Sequence, residues 1–160
     1  MGTLLLVTDA EDALRALDFE DYEPRMHRLL HLHYHTYALE TGATPATLVK
    51  ALSAYFTGDL NAISALRVAT GGTAFQRTVW HALREIRAGE TSTYGRLATA
   101  LGRNGASRAV GMANGANPIA IVVPCHRVIG ADGTLTGYGG GLERKQWLLA
   151  HERQYAGIRS

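Results

Sequence analysis

Five consecutive apolar residues, 119–123, run into Pro124, and Pro124 is followed at once by Cys125 and His126. A run this short, continuous and rich in β-branched side chains fits a strand buried on both faces. Proline has no N–H to offer a ladder, so Pro124 ends it. Cys125 then falls where a buried element gives way to a turn, held firmly yet able to face a cleft. It is the single cysteine of the chain. Two readings of it compete. One is a small buried apolar residue. The other is a nucleophile, activated by a neighbouring imidazole that a carboxylate orients. The adjacent His126 favours the second.

The single cysteine also narrows the class of protein. It leaves no internal disulfide and excludes a four-cysteine zinc site, and it fits a reducing compartment. With 46% hydrophobic and 19% charged residues, the 160-residue chain is long enough for one good core or two small ones. No apolar run approaches the length of a membrane span. The first residues lack the basic stretch of a signal peptide, so a cytoplasmic protein is expected. Charge is uneven. Residues 1–72 carry a net −4 and residues 73–160 a net +6, with ten arginines among eleven basic side chains. A basic half suggests a polyanionic partner; ordinary solvated surface charge is the alternative.

Residues 2–8 and 13–19 read as two strands joined by a turn at 9–12. A helix is expected over 23–37, with Met26, Leu29, Leu30, His33 and Tyr37 near one face. His27, His31 and His35 recur at i, i+4 and i+8 on another. That spacing could hold a transition metal, but no cysteine or carboxylate completes a site, so an outward polar face is preferred. Thr44 and Pro45 suggest an N-cap with proline in the first turn of a helix ending at Phe56. Gly71 and Gly72 mark the expected boundary between domains 1–72 and 73–160.

Phe75, Val79, Leu83 and Ile86 make an apolar stripe on a helix over 74–88, closed by Gly89. Thr93 can N-cap a short helix over 94–101. A glycine-containing turn at 102–105 leads to a second helix over 106–115. Two short helices joined this way read as a helix-turn-helix, a weak signal alone; Arg96, Arg103 and Arg108 strengthen it. Ala109, Gly111, Ala113, Gly115 and Ala116 strip the second helix of bulk. That suits close approach to a phosphate backbone or close packing on another element. Residues 130–141 contain six glycines and form a loop, with Tyr138 its one large group. The last helix spans 142–153. There Glu152 shares the face of Leu148 and Leu149 and needs a partner, either His126 or one of Arg144 and Arg153.

Asn117-Pro118 followed by Pro124-Cys125-His126-Arg127-Val128-Ile129-Gly130 closely resembles the active-site signature of the O6-alkylguanine-DNA alkyltransferases, and the likeness runs from about Phe75 to about Glu152. The resemblance implies a small ribonuclease H-like N-terminal sheet-and-helix domain, whose usual first strand is missing here, and a mainly helical C-terminal domain with a helix-turn-helix. The fold class expected is therefore mixed α and β. Direct-reversal DNA repair is implied, with Cys125 taking an alkyl group from guanine O6, and O4-alkylthymine open as a second substrate. His126 would be the base, Glu152 its orienting carboxylate, Tyr94 a donor to the leaving base and Asn117 the support of the turn. Arg108 would fill the space of a flipped nucleotide in a minor-groove complex. Arg96, Arg103, Ala109, Gly111, Asn114 and Arg127 would complete the DNA contacts. Tyr138, Val128, Gly139 and Gly140 would hold the base. The partner implied is duplex DNA, bound by a monomer, with no metal and no cofactor. Some relatives carry a structural zinc on cysteines absent here.

Three other readings compete, the first of them with the same three residues. A Cys-His-Glu hydrolase would turn over and has no need of a helix-turn-helix. An alkyltransferase-like DNA-binding protein would lack the cysteine. A metal-responsive regulator would use the three histidines.

Overall fold

The second strand is the most deeply buried stretch of the N-terminal half. In the computed structural model, which describes residues 1–157, β1 (Leu4–Thr8) and β2 (Leu14–Phe19) pair antiparallel. A register shift falls between Val7 and Thr8, and Asp9 ties the turn by accepting from the Glu11 and Ala13 N–H groups. The sheet has two strands. Single parallel bridges join Leu14 to Val68 and Leu17 to Ile119. The bridge from Leu17 carries β2 directly to the segment that precedes Cys125.

Helix α1 (Glu23–Tyr34) ends three residues earlier than its pattern suggests, because His35 turns to φ 58°. Helix α2 (Ala46–Phe56) starts one residue late: Pro45 is extended and occupies the N-cap, and no side chain caps it. Helix α3 (Ala74–Glu85) opens on a capping box in which Thr73 and Gln76 bond each other's backbone N–H. It stops at Ile86, before Gly89, whose positive φ serves the turn that follows. Helices α4 (Tyr94–Ala100) and α5 (Ser107–Gly115) form the expected pair, with Thr93 accepting from the Arg96 N–H at the start of α4. Strands β3 (Ser92–Thr93) and β4 (Val128–Ile129) pair parallel, and α6 (Leu142–Ala156) closes the chain. Six helices and two small sheets make a mixed α and β fold among the described residues.

The segment 119–123 corrects an expectation. It is buried throughout, but it is not a strand. Ile121 sits at φ 69°, an uncommon state for a β-branched residue. Val122 and Val123 donate back to Ala120 and Ile119. The apolar run reports burial correctly, but a buried turn meets that need as well as a strand when its polar groups find partners. Here Asn117 supplies several of them.

One cluster of buried side chains joins both halves. Leu14, Leu17 and Phe19 of β2 share it with Leu48 and Tyr55 of α2, Val79, Trp80 and Leu83 of α3, and Leu148 of α6. Trp80 also donates to the Ala113 carbonyl at 2.8 Å and so fixes α5 on α3. No helix among the described residues is long and apolar enough to cross a membrane.

Candidate active site

Asn117 is the keystone of the turn that presents Cys125. Its side chain donates to the Ile119 and Val123 carbonyls (3.3 and 2.8 Å) and accepts from the Ile119 N–H (3.0 Å). The chain then enters a single 3-10 turn, Cys125–Arg127, whose three residues are all buried. Cys125 lies at a cavity of about 240 Å³ lined also by Tyr94, Gly111, Asn114, Gly115, Gly137, Tyr138 and Gly139. Helix α5 is thus one wall and the glycine loop another.

Behind the cysteine lies a buried ionic cluster. Glu152 of α6 is fully buried and accepts from four directions. His126 Nε2 and Tyr55 Oη reach Oε1 at 2.8 Å, and Arg127 bonds both oxygens through Nε and Nη2 at 2.9 and 2.8 Å. The Gly89 N–H approaches at 3.4 Å. Burial alone would push the Glu152 carboxyl up. The hydrogen bonds and charges of His126 and Arg127 outweigh burial and hold it well below the usual carboxylate range. An ionised carboxylate only accepts, so His126 carries its proton on Nε2 and presents an unprotonated Nδ1, which is buried without a partner. Burial lowers the affinity of His126 for a second proton, against the pull of Glu152. At neutral pH the ring is a neutral base.

The thiol itself departs from expectation. Burial pushes the Cys125 thiol up, and the hydrogen bond from Asn117 and the charges of Arg25 and Lys145 only partly offset this. The resting group is a protonated thiol, not the thiolate that a neighbouring imidazole suggests. The base is in place, but burial of the sulfur disfavours its charged form.

Lys145 escapes the sequence reading. It is fully buried and has no carboxylate partner among the described residues. Its ammonium bonds the Val128 and Thr136 carbonyls at 2.7 and 2.9 Å. Burial lowers its proton affinity. It ties the glycine loop to the strand that follows the nucleophile. One signal was available: Lys145, Leu148, Leu149 and Glu152 recur at helical spacing on one face, so a buried face predicts a buried lysine. Arg25 has no such signal. It leaves α1 to pair with buried Asp18 at 2.9 Å and to cap the carbonyls of Gly115 and Asn117 at 2.8 and 3.1 Å. Tyr55 and Thr136, which bonds the Tyr94 hydroxyl at 2.7 Å, are likewise invisible from sequence.

The structure sorts the remaining expected residues. Cys125, Tyr94, Tyr138 and Gly139 meet at the cavity, and His126 and Glu152 lie together behind it. Tyr138 stands edge-on to both His126 and Phe19, with its hydroxyl buried and unpartnered. Gly140 lies off the cavity, pressed so close to the Phe19 ring that a side chain there would clash. The Val128 carbonyl is buried and bonded to Lys145, so it is not free at the cavity wall. Arg96, Arg103, Arg108 and Ala109 are exposed, and the three arginines form no ion pair among the described residues. Gly111 and Asn114 line the cavity rather than the outer face of α5. Arg127, expected at the DNA, is buried and spent on Glu152 and the Ile86 carbonyl, because an uncompensated carboxylate in the core outbids the surface. The three histidines of α1 do not converge. His27 pairs with Glu23 at 3.2 Å, and His35 lies beyond the helix end. No group of three or more metal-ligating side chains occurs among the described residues.

Residues 74–154 match the family model for the 6-O-methylguanine DNA methyltransferase DNA-binding domain. A methylated-DNA–protein-cysteine methyltransferase of Salmonella typhimurium is 55% identical over 154 residues, 95% of this chain and 90% of that one. The chain belongs to the methylated-DNA–protein-cysteine methyltransferase family. A family member from Mycolicibacterium paratuberculosis is 59% identical over 111 residues, 69% of this chain and 67% of that one. Among solved structures, that of Mycobacterium tuberculosis OGT in complex with DNA superposes with a TM-score of 0.77 at 41% identity, covering 97% of this chain and 91% of that one. The methyltransferase of Pyrococcus kodakaraensis superposes at 0.74 with 31% identity, covering 93% and 90%. The likeness to these family members therefore spans both halves of the chain.

Proposed function

We propose that this protein repairs DNA by direct reversal, moving the alkyl group of an O6-alkylguanine irreversibly onto Cys125. One observation carries the assignment to this residue: the chain's single cysteine lines the cavity beneath α5, with a neutral histidine and an ionised glutamate buried behind it. An alkyl carbon is saturated, and a thiolate is the strongest soft nucleophile a protein offers. His126 Nδ1, through a water, takes the thiol proton as the sulfur attacks. Glu152 stabilises the imidazolium so formed. The carbon–O6 bond breaks with its electron pair leaving on the base, and Tyr94 donates toward the base to neutralise it.

The reactive atom of an alkylguanine is hidden in the duplex stack, so the nucleotide must turn outward to reach Cys125. The exposed outer face of α5, with Arg108 on it among small residues, supports docking in the minor groove with Arg108 filling the vacated space. The protein acts as a monomer, Arg96 and Arg103 contact phosphates, and the C-terminal domain from residue 73 carries both docking and chemistry. Tyr138 and Gly139 flank the base.

Stoichiometry tests this reading. A thioether has no carbonyl for water to attack, so each molecule should capture one methyl group from excess O6-methylguanine duplex and then stop. The intact mass should rise by one methyl substituent on the Cys125 peptide. Cys125→Ser should bind duplex and transfer nothing. Turnover beyond one equivalent with unchanged protein mass would replace the transferase by a hydrolase.

A further inference from the structure

Helix α5 exposes Ser107, Arg108, Ala109, Met112 and Gly115 and buries Val110, Ala113 and Asn114. Of the exposed group only Arg108 and Met112 are long enough to project. Met112 is 79% exposed, more than any other large apolar residue among those described. It lies four residues after Arg108, one turn along the same face. Its neighbour Gly111 lines the cavity that holds Cys125. None of the described residues covers this face, and Trp80 anchors α5 through the Ala113 carbonyl. The helix pair α4 and α5 with its turn carries Arg96, Arg103 and Arg108, exposed and without ion pairs among the described residues.

We propose that Met112 is a second side chain that α5 inserts into the minor groove, an apolar contact beside the cationic one of Arg108. The inference rests on the docking reading above. A thioether offers phosphate nothing, so its gain comes from displacing water against sugar and base edges. Apolar wedges at base steps, methionine among them, are a recurrent device of minor-groove binders. An unbranched chain with three rotatable bonds can follow the groove floor whatever the sequence.

The test is equilibrium affinity for unmodified duplex over a series of salt concentrations, with Met112→Ala, Met112→Gln, Met112→Leu and Arg108→Ala beside the parent protein. Met112→Ala and Met112→Gln should bind about tenfold more weakly at every salt concentration. Their slope of log affinity against log salt should match the parent's, because no phosphate contact is lost. Met112→Leu should stay within about twofold. Arg108→Ala should weaken binding and flatten the slope, because it removes a positive charge from the groove. The Met112 variants should melt with the parent, since the side chain leaves no contact behind. Parent-like or tighter binding by Met112→Ala would overturn the proposal, as would full affinity in Met112→Gln. A parent protein that binds no duplex would instead defeat the docking reading itself, whatever the variants do.

Discussion

Arginine does opposite work in two regions of this molecule. In the ionic cluster behind Cys125, Arg127 is buried and holds both oxygens of Glu152. On α4, the turn and α5, Arg96, Arg103 and Arg108 are exposed and lack ion pairs among the described residues, with Arg103 resting over the Phe75 ring. The first region is over-determined: each charge is desolvated and must be matched, so its geometry is rigid. The second is left unmatched among the described residues, so its charges stay free for an outside partner. A rigid floor and a reaching rim divide chemistry from docking, and the division is open to attack from either side.

The largest effect is expected at the floor. Glu152→Ala strands His126 and Arg127 in the core and should cost about 3–5 kcal/mol of stability in denaturant unfolding, and alkyl transfer should fail in whatever protein folds. Parent-like stability would mean that the cluster is looser than its distances suggest. Lys145→Met comes next. It removes a buried cation but orphans the Val128 and Thr136 carbonyls, at about 1–3 kcal/mol. The glycine loop should then exchange its amide hydrogens faster while α5 does not.

The floor should also respond to pH. His126 takes up a proton less readily when folded than its ordinary value of 6.5 implies. The unfolded chain therefore gains protons first, and stability should fall as pH drops below that value, by up to about 1.4 kcal/mol per pH unit for one such group. Glu152, held low, adds its own loss as pH falls below the ordinary carboxyl value of 4.5. Cys125 shifts the other way: stability should decline as pH rises past its ordinary 9.0, where the unfolded thiol ionises and the buried one does not. Thermal melts across this range test the expected plateau between the two limbs. The smallest effect belongs to the rim. Arg96→Ala and Arg103→Ala should leave unfolding unchanged and each reduce the salt slope of duplex binding by about one. A stability loss there would erase the contrast between the two regions.

Much of this was legible because it is local. The stripe of Phe75, Val79 and Leu83, the Thr73 and Thr93 caps and the glycine turns specify α3, α4 and α5 within a few residues, since capping and periodicity act over one or two turns. The pairing of Glu152 with His126 was legible in a different sense: a carboxylate on an apolar face must find a partner, and few were on offer. The three histidines of α1 show the limit of periodicity, because the spacing holds only while the helix does, and His35 leaves it.

The residue types of the site, and the burial of the stretch around it, are properties of the chain order alone. The tertiary structure decided how that burial is satisfied. Residues 119–123 became a turn rather than a strand because Asn117 takes up their polar groups. Arg127 went inward because Glu152 was already there. The thiol of Cys125 kept its proton because the packing that makes the cavity also removes the water that would have solvated its charge. Desolvation and long-range pairing depend on which distant segments arrive together, and no local pattern encodes that arrival.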